Sequence, residues 1–384
     1  MSHRINVALV GSGAMGRCHS ASLAALPFCY KDLPFEAHRA LLVTRDEKTA
    51  SEKAAALGFD RAVTTLEEAL ADQTIDVVDI CTPNICHYEE VKAALAAGKH
   101  VLCEKPLGIS AKEADELADL AGKSGKTCGM VFNNRHLPSA MRAKELVEEG
   151  RLGEIVSFRT SYLHSSSTDP RKPRGWKQDK TVCGGGVLFD LGSHAIDLLA
   201  FILGKEENNR IASVRGTPQI FYKTRAGADG GEWQTNADEA FYATVKLRGG
   251  AIGTLEASKI TVGANDDFTV SVYGTRGALQ FDLMQPNYLR FYDASAASAP
   301  HGGLRGYTSI ECVGRYDTPE AVFPGMRAPV GWARGHIHSM YSYLKAVHEG
   351  GPASPSFADG AYVNRVMEAA YTSAETGAFE TVNF

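Results

Sequence analysis

The run Ile5-Asn-Val-Ala-Leu-Val10 passes without a spacer into Gly11-Ser-Gly-Ala-Met-Gly16 and then into a helix-like segment reaching about residue 26. A short apolar strand, a glycine-rich turn and a helix in that order read as the opening of a βαβ unit that binds a dinucleotide. Gly11 suits the tight turn, Gly13 the close approach of backbone to a pyrophosphate, and Gly16 the contact between helix and strand. Ala14 and Met15 open the helix, whose first N–H groups and positive end face phosphate. Alone, such a match is weak. Here the alternation continues, with strands expected at 40–43, 77–81, 100–103 and 127–132 and helices at 47–57, 87–97 and 111–123. The pattern predicts a doubly wound parallel sheet.

Three stretches fall at the carboxyl ends of these strands, where an open α/β sheet binds its ligands. Val101-Leu-Cys-Glu-Lys-Pro-Leu107 stops an apolar strand on Glu104, Lys105 and Pro106. The proline cannot donate to a sheet ladder and biases Lys105 towards an extended backbone, which places the lysine at the strand end. Taken alone, the stretch reads equally well as a loop with an exposed Lys-Glu pair. Thr82-Pro83-Asn84 follows the strand at 77–81, and His87 opens the next helix; the turn serves as a helix cap, a cofactor contact, or both. After the strand at 40–43, where a carboxylate would bond an adenosine ribose, the chain has Thr44 and Arg45. Thr44 repels no 2'-phosphate and Arg45 is able to bind one, so the cofactor stays open between NAD and NADP.

At 384 residues the chain exceeds what one core usually supports. Two domains are expected, a dinucleotide-binding one over 1–133 and an α+β one over 134–384 for substrate binding and oligomerisation, with closing helices free to pack back on the first. The texture changes after residue 133: a helix at 139–149 with Gly150 at its end, then long strand-like segments at 155–162, 239–247, 251–258, 268–273, 278–282 and 289–292. Gly249-Gly250 and Thr275-Arg-Gly277 read as hairpin turns. This describes a large, mostly antiparallel open sheet with one face against helices. Segments 332–349 and 358–375 read as amphipathic helices, with Val363, Val366, Met367 and Ala370 forming a core stripe.

Charge and cysteine narrow the partners. A net charge of -5 and a pI near 6.2 provide no basic stripe for nucleic acid or an anionic membrane. The N-terminal residues lack a signal-type apolar region, and no apolar run is expected to reach membrane-spanning length. The eight cysteines show no CxxC pair and no metal-ligand spacing, and they read as buried free thiols of a reducing, cytoplasmic compartment. No metal site is expected.

The strand-GSGAMG-helix, the CTPN turn and the CEKPL strand end together resemble the Gfo/Idh/MocA family of NAD(P)-dependent oxidoreductases. Further on, Gly184-Gly-Gly-Val-Leu-Phe-Asp-Leu-Gly-Ser-His-Ala-Ile-Asp197 resembles that family's glycine-rich segment leading to its Asp and His positions. The resemblance covers most of the chain, although the usual acidic residue after the second strand is absent. The loop over 27–39 also looks longer than in simpler members, similar to a subgroup with inositol-type and anhydrosugar or glycoside dehydrogenases. Family habit leans slightly to NAD, and it implies a homodimer or homotetramer built through the open face of the second sheet.

Asp190 and His194 stand four residues apart, so on a helix they share a face, with Asp197 placed to orient the histidine. An isolated D-x3-H reads better as a helix cap and an interior histidine; the glycine run and the upstream dinucleotide motif reverse that preference. Oxidation of a secondary alcohol needs a base at the hydroxyl oxygen. Lys105, Asp190 and His194 are the catalytic candidates: His194 as general base, Lys105 bonding the reacting oxygen, Asp190 orienting substrate or lysine, with the first two roles exchangeable. Asn134, Arg135, Tyr162 and Trp176 are candidates for a sugar pocket, as are His164 and His336; Trp176 is also a cofactor candidate, as are Glu104 and Lys105. Residues 165–180 read as a flap or a solvated loop. The expected reaction is hydride transfer between a ring hydroxyl of a sugar, anhydrosugar or cyclitol and NAD(P). A glycosidase that oxidises its substrate only transiently, and a dinucleotide sensor without catalysis, are the alternatives.

Overall fold

The computed structural model describes residues 3–316, 321–325 and 327–383. The chain forms two compact units, Met1–His136 with Tyr316–Ala361, and Leu137–Arg315 with Tyr362–Phe384.

The first unit alternates β1 (His3–Val10), α1 (Ala14–Cys29), β2 (Phe35–Val43), α2 (Glu47–Leu57), β3 (Arg61–Val63), α3 (Leu66–Ala71), β4 (Val77–Ile80), α4 (Asn84–Ala96), β5 (His100–Cys103), α5 (Ala111–Ser124) and β6 (Cys128–Met130). The six strands lie parallel in the order β3-β2-β1-β4-β5-β6, so strand order reverses at β1 and opens a crevice at the carboxyl ends of β1 and β4. Strand β4 is buried throughout, as are residues 7–10 of β1 and 101–103 of β5, because both faces are covered there, which is why these stretches read as continuous runs rather than alternating ones.

Two expectations change here. The long loop over 27–39 is absent: α1 runs on to Cys29 with Pro27 inside it, and β2 begins at Phe35. Leu23, Leu26, Cys29, Tyr30 and Phe35 are buried with Met340, Tyr341, Tyr343 and Leu344, and that burial outweighs the local cost of a proline in the last helical turn. The short β3 and α3, which the sequence reading lacked, close the edge; α3 is announced by a capping box of Thr65 and Glu68.

The second unit contains α6 (Pro138–Glu148), β7 (Ile155–Leu163), α7 (Lys180–Cys183), α8 (Ser193–Leu203), β8 (Ile211–Gln219), β9 (Thr224–Ala226), β10 (Glu232–Gln234), β11 (Ala240–Leu247), β12 (Ile252–Ser258), β13 (Asp267–Gly274), β14 (Gly277–Asp282), β15 (Tyr288–Asp293) and β16 (Tyr307–Glu311). Later in the chain come α9 (Trp332–Glu349), which belongs to the first unit, α10 (Phe357–Thr376) and β17 (Glu380–Thr381). Nine strands form one open sheet, β16-β15-β14-β13-β7-β12-β11-β8-β17, antiparallel except at β7/β12. Its inner face, with Phe158, Leu255, Phe268 and Val270, is covered by α6 and α8. The outer face carries Tyr242, Ile252 and Tyr273 among Thr244, Thr254 and Ser271.

Contrary to the expectation from sequence, one helical run does have the length and composition of a membrane span. In Lys180–Leu203 an 18-residue window has mean hydropathy 1.6, yet 78% of that window is buried inside the protein. Its apolarity comes from α8 serving as a core helix, wrapped on every side.

Candidate functional site

The glycine turn between β1 and α1 is shaped by three different demands. Gly11 has φ +101°, and a Cβ there would stand 2.7 Å from the Cys81 carbonyl oxygen. A Cβ on Gly16 would stand 2.1 Å from the Gly11 carbonyl oxygen, so α1 packs against its own turn. Gly13 meets nothing within 4 Å, and its side faces open space. Gly13 is the N-cap of α1 without a side-chain cap, and no acidic residue stands in the first turn through Ala14 and Met15. Uncapped helical N–H groups, a positive helix end and a cradle that any Cβ would begin to fill suit a pyrophosphate, so the residues fit a bound dinucleotide.

At the end of β2, Thr44 is buried and its hydroxyl lies 3.3 Å from that of Ser12. Arg45 is exposed, and Asp46 is occupied with Thr49 at 2.5 Å and Lys53 at 3.4 Å. A carboxylate does approach this corner, from α4: Glu90 accepts the Thr82 hydroxyl at 2.5 Å and feels the Arg45 charge. Burial pushes Glu90 up to about 7, against the pull of Thr82 and Arg45. A carboxyl raised in the folded state favours folding below its unfolded value near 4.5, and this contribution is lost as pH rises through about 7. Glu90→Gln should therefore stabilise the cofactor-free protein at pH 8, by up to about 3 kcal/mol, and give no gain near pH 4.5. Equal urea midpoints for the two proteins at pH 8 would contradict this.

The Thr82-Pro83-Asn84 turn is tied to the Lys105 segment by His87. This ring is fully buried, with Nδ1 2.8 Å from the Pro106 carbonyl oxygen and Nε2 3.0 Å from that of Thr82. Burial lowers its proton affinity, so the neutral ring donates to one carbonyl at a time. Asn84 opens α4 and is also buried. Lys105 is half-buried just beyond β5, and its N–H donates to the Glu104 Oε2 at 3.1 Å. The Glu104 side chain turns inward: its Oε1 lies 3.2 Å from His19 Nε2. His19 Nδ1 stands 2.9 Å from both oxygens of Asp79 and 3.2 Å from the Cys81 sulfur.

His19, Asp79 and Cys81 thus bring three potential ligand atoms within 4.8 Å of one another, a grouping that cysteine spacing did not announce. Both His19 nitrogens are engaged by carboxylates, Asp79 at 2.9 Å and Glu104 at 3.2 Å, and against the pull of burial Asp79 holds the ring's proton affinity well above its ordinary value.

Asn134 and Arg135 lie in a buried 3-10 turn, Asn133–His136, at the end of the first unit's leading segment. Arg135 pairs with Asp359 at 3.3 Å, whose other oxygen accepts from the Ser356 N–H. His336, on α9, is 4% exposed, and neither ring nitrogen has a hydrogen-bond partner; its ring lies edge-on to Trp332 at 4.2 Å.

In the second unit, Asp190 sits in a π-helical turn, Leu188–Gly192, that leads into α8. Such a turn commonly marks a functional position. The glycine run before it has packing causes: a Cβ on Gly186 would stand 2.3 Å from the Asp238 carbonyl oxygen, and one on Gly185 2.5 Å from the Phe189 ring. Asp190 is gripped by two lysines, Lys177 at 2.7 Å and Lys259 at 3.0 Å. His194, half-buried in the first turn of α8, faces the Tyr162 ring at 5.9 Å. Tyr162 donates to Asp266 at 2.7 Å, and His164 lies 2.8 Å from the same oxygen. Burial opposes ionisation of Asp266, but the hydrogen bonds from His164 and Tyr162 hold it below the ordinary carboxylate range. Asp197, expected to orient His194, is buried on α8. Trp176 is 38% exposed at the head of a 3-10 turn, with the Lys177 ammonium 5.7 Å from its ring.

The segment over 165–180 is neither a free flap nor merely solvated. Arg174 N–H donates to Ala226 and Ala226 N–H to Pro170, each at 2.9 Å, and the Arg174 guanidinium stacks 3.6 Å from the Trp233 ring, so the β9/β10 hairpin laces it down. Lys259 and Asp266 escaped the sequence reading because each stands just outside a strand end, with no motif around it; Lys259 is only 7% exposed.

Known proteins resemble this chain in sequence and fold over nearly its whole length. A family model described as oxidoreductase family, NAD-binding Rossmann fold, matches residues 5–132, and the GFO/IDH/MocA C-terminal domain matches residues 140–280. Levoglucosan dehydrogenase of Pseudarthrobacter phenanthrenivorans is 31% identical over 380 residues, 96% of each chain. D-glucoside 3-dehydrogenase of Escherichia coli is 28% identical over 314 residues, 79% of this chain and 78% of the relative. The solved complex of levoglucosan dehydrogenase with NADH and levoglucosan aligns with a TM-score of 0.93 at 30% identity, covering 100% of each chain.

Proposed function

Because the chain belongs to the Gfo/Idh/MocA family of NAD-binding oxidoreductases, we propose that it oxidises a ring secondary alcohol of a neutral sugar, anhydrosugar or cyclitol. The observation that carries this reading is the similarity along 96% of the chain to a levoglucosan dehydrogenase. Lys105, Asp190 and His194 are the catalytic groups in this reading. Residues 1–133 serve as the cofactor-binding part and 134–384 as the substrate-binding and assembly part. NAD is the preferred dinucleotide, and eight free thiols fit a cytoplasmic setting.

The cofactor supplies the hydride acceptor. His194 takes the hydroxyl proton, since imidazole has the right proton affinity near neutral pH and Tyr162 and Asp266 hold its surroundings. Asp190 stays a carboxylate between Lys177 and Lys259 and accepts from a substrate hydroxyl. Lys105 donates to the reacting oxygen. Trp176, Tyr162, Asn134 and Arg135 contribute to the sugar pocket, and a homodimer or homotetramer forms through the outer face of the nine-stranded sheet. Tyrosines interleaved with threonines suit such a contact.

The test is reduced-nicotinamide absorbance with NAD and NADP separately, across inositols, aldoses, glycosides and levoglucosan. Net NADH formation with one of these sugars is expected. Release of an aglycone with no net NADH would point to the transient-oxidation glycosidase, and dinucleotide binding with no turnover to a sensor.

A further inference from the structure

Inside the first unit, Asp79, His19 and Glu104 form one unbroken chain that ends at the backbone of Lys105. His19 is 2% and Asp79 0% exposed, so neither reaches a substrate. Two carboxylates sealed in one core repel each other unless a cation lies between them, and His19 lies there, one nitrogen on each. The other groups facing this chain are Cys18 of α1, Cys81 beyond β4, Cys103 of β5, His87 of α4, His336 and Tyr343 of α9, and Lys105. Burial raises the three thiols and the Tyr343 hydroxyl and lowers both remaining histidines, His336 to about 4, so all six are neutral near pH 7. The charges left are two carboxylates, the His19 imidazolium and the Lys105 ammonium.

We propose that the Asp79–His19–Glu104 chain is a positioning device for Lys105, anchoring Glu104 as an anion beneath the end of β5 so that the lysine meets the substrate oxygen as a hydrogen-bond donor and not as the base. Burial alone would neutralise Glu104, but His19 and then the Lys105 charge hold it down at about 2. The same attraction, taken from the lysine's side, favours its ammonium form. The inference rests on the dehydrogenase reading, and it assigns the base to His194.

The experiment compares wild type with Glu104→Gln and His19→Gln. Competitive acetic anhydride labelling from about pH 6 to about pH 11, read at Lys105 by mass spectrometry, reports the lysine's proton affinity without turnover. The labelling midpoint is expected to fall by about one pH unit or more in Glu104→Gln, and not to fall in His19→Gln, which removes a cation and leaves Glu104 ionised at the alkaline pH where the lysine titrates. With the sugar found active, the alkaline limb of kcat/KM should fall equally in Glu104→Gln while the acidic limb, set by His194, stays. A merely structural chain would move neither midpoint nor limb. An unmoved Lys105 midpoint in folded Glu104→Gln overturns the proposal; this variant keeps shape and the acceptor for the Lys105 N–H, so it decides even if His19→Gln fails to fold. A shifted midpoint in a protein that oxidises no sugar strikes the dehydrogenase reading alone.

Discussion

Lys105→Ala is expected to lower kcat by about 10²–10⁴-fold, the range for removing a group that handles charge at the reacting oxygen. The loss should fall on kcat more than on KM, because the lysine's bond strengthens as the alkoxide develops. Dinucleotide affinity should change by less than about threefold, since the glycine turn and α1 carry that binding. Stability should hold too: the half-buried side chain leaves a small hole, and Glu104 retains His19. Undiminished kcat, measured in steady state with the active sugar, would sink the proposed mechanism.

The glycine turn yields a pair of opposite outcomes. Gly13→Ala adds a methyl where nothing stands within 4 Å. It should fold with an unchanged Tm, yet lose about ten- to a hundredfold in NAD affinity as the backbone is kept from the phosphates. Gly16→Ala drives its methyl to 2.1 Å from the Gly11 carbonyl oxygen, a backbone atom with no flexible end to yield. Overpacking of that kind costs about 1–3 kcal/mol or more, so this variant should lose both NAD affinity and several degrees of Tm. Calorimetric binding and thermal melts separate the two; a Gly13→Ala protein that binds NAD normally would remove the pyrophosphate from this turn.

Much of the cofactor half was legible because its signals are local. An apolar run, a glycine spacing and a proline act within a few residues, and α2 and β5 keep the bounds that their sequence patterns predict. The loop over 27–39 misled because Pro27 is a strong local signal, whereas its cost is offset by residues more than three hundred positions away, Tyr341 stacking on Tyr30 at 3.8 Å. The strand β8 was missed for a related reason: Arg215, Gly216 and Pro218 break its pattern, and its pairing with β11 and β17 supplies what local propensity lacks.

By itself, then, the sequence determined the alternation of strands and helices in the first unit apart from β3 and α3, the glycine turn suited to a dinucleotide, and the identities of Lys105, Asp190 and His194 as the groups worth testing, since each follows from chemistry confined to a short stretch. Only the tertiary structure decided what those groups face. The π turn that presents Asp190, its capture by Lys177 and Lys259, and the burial of His19 between Asp79 and Glu104 join residues 13 to 85 positions apart. The state of a buried charge depends on which opposite charge folding brings beside it and on how much water is expelled, and neither quantity is written in any local window of the chain.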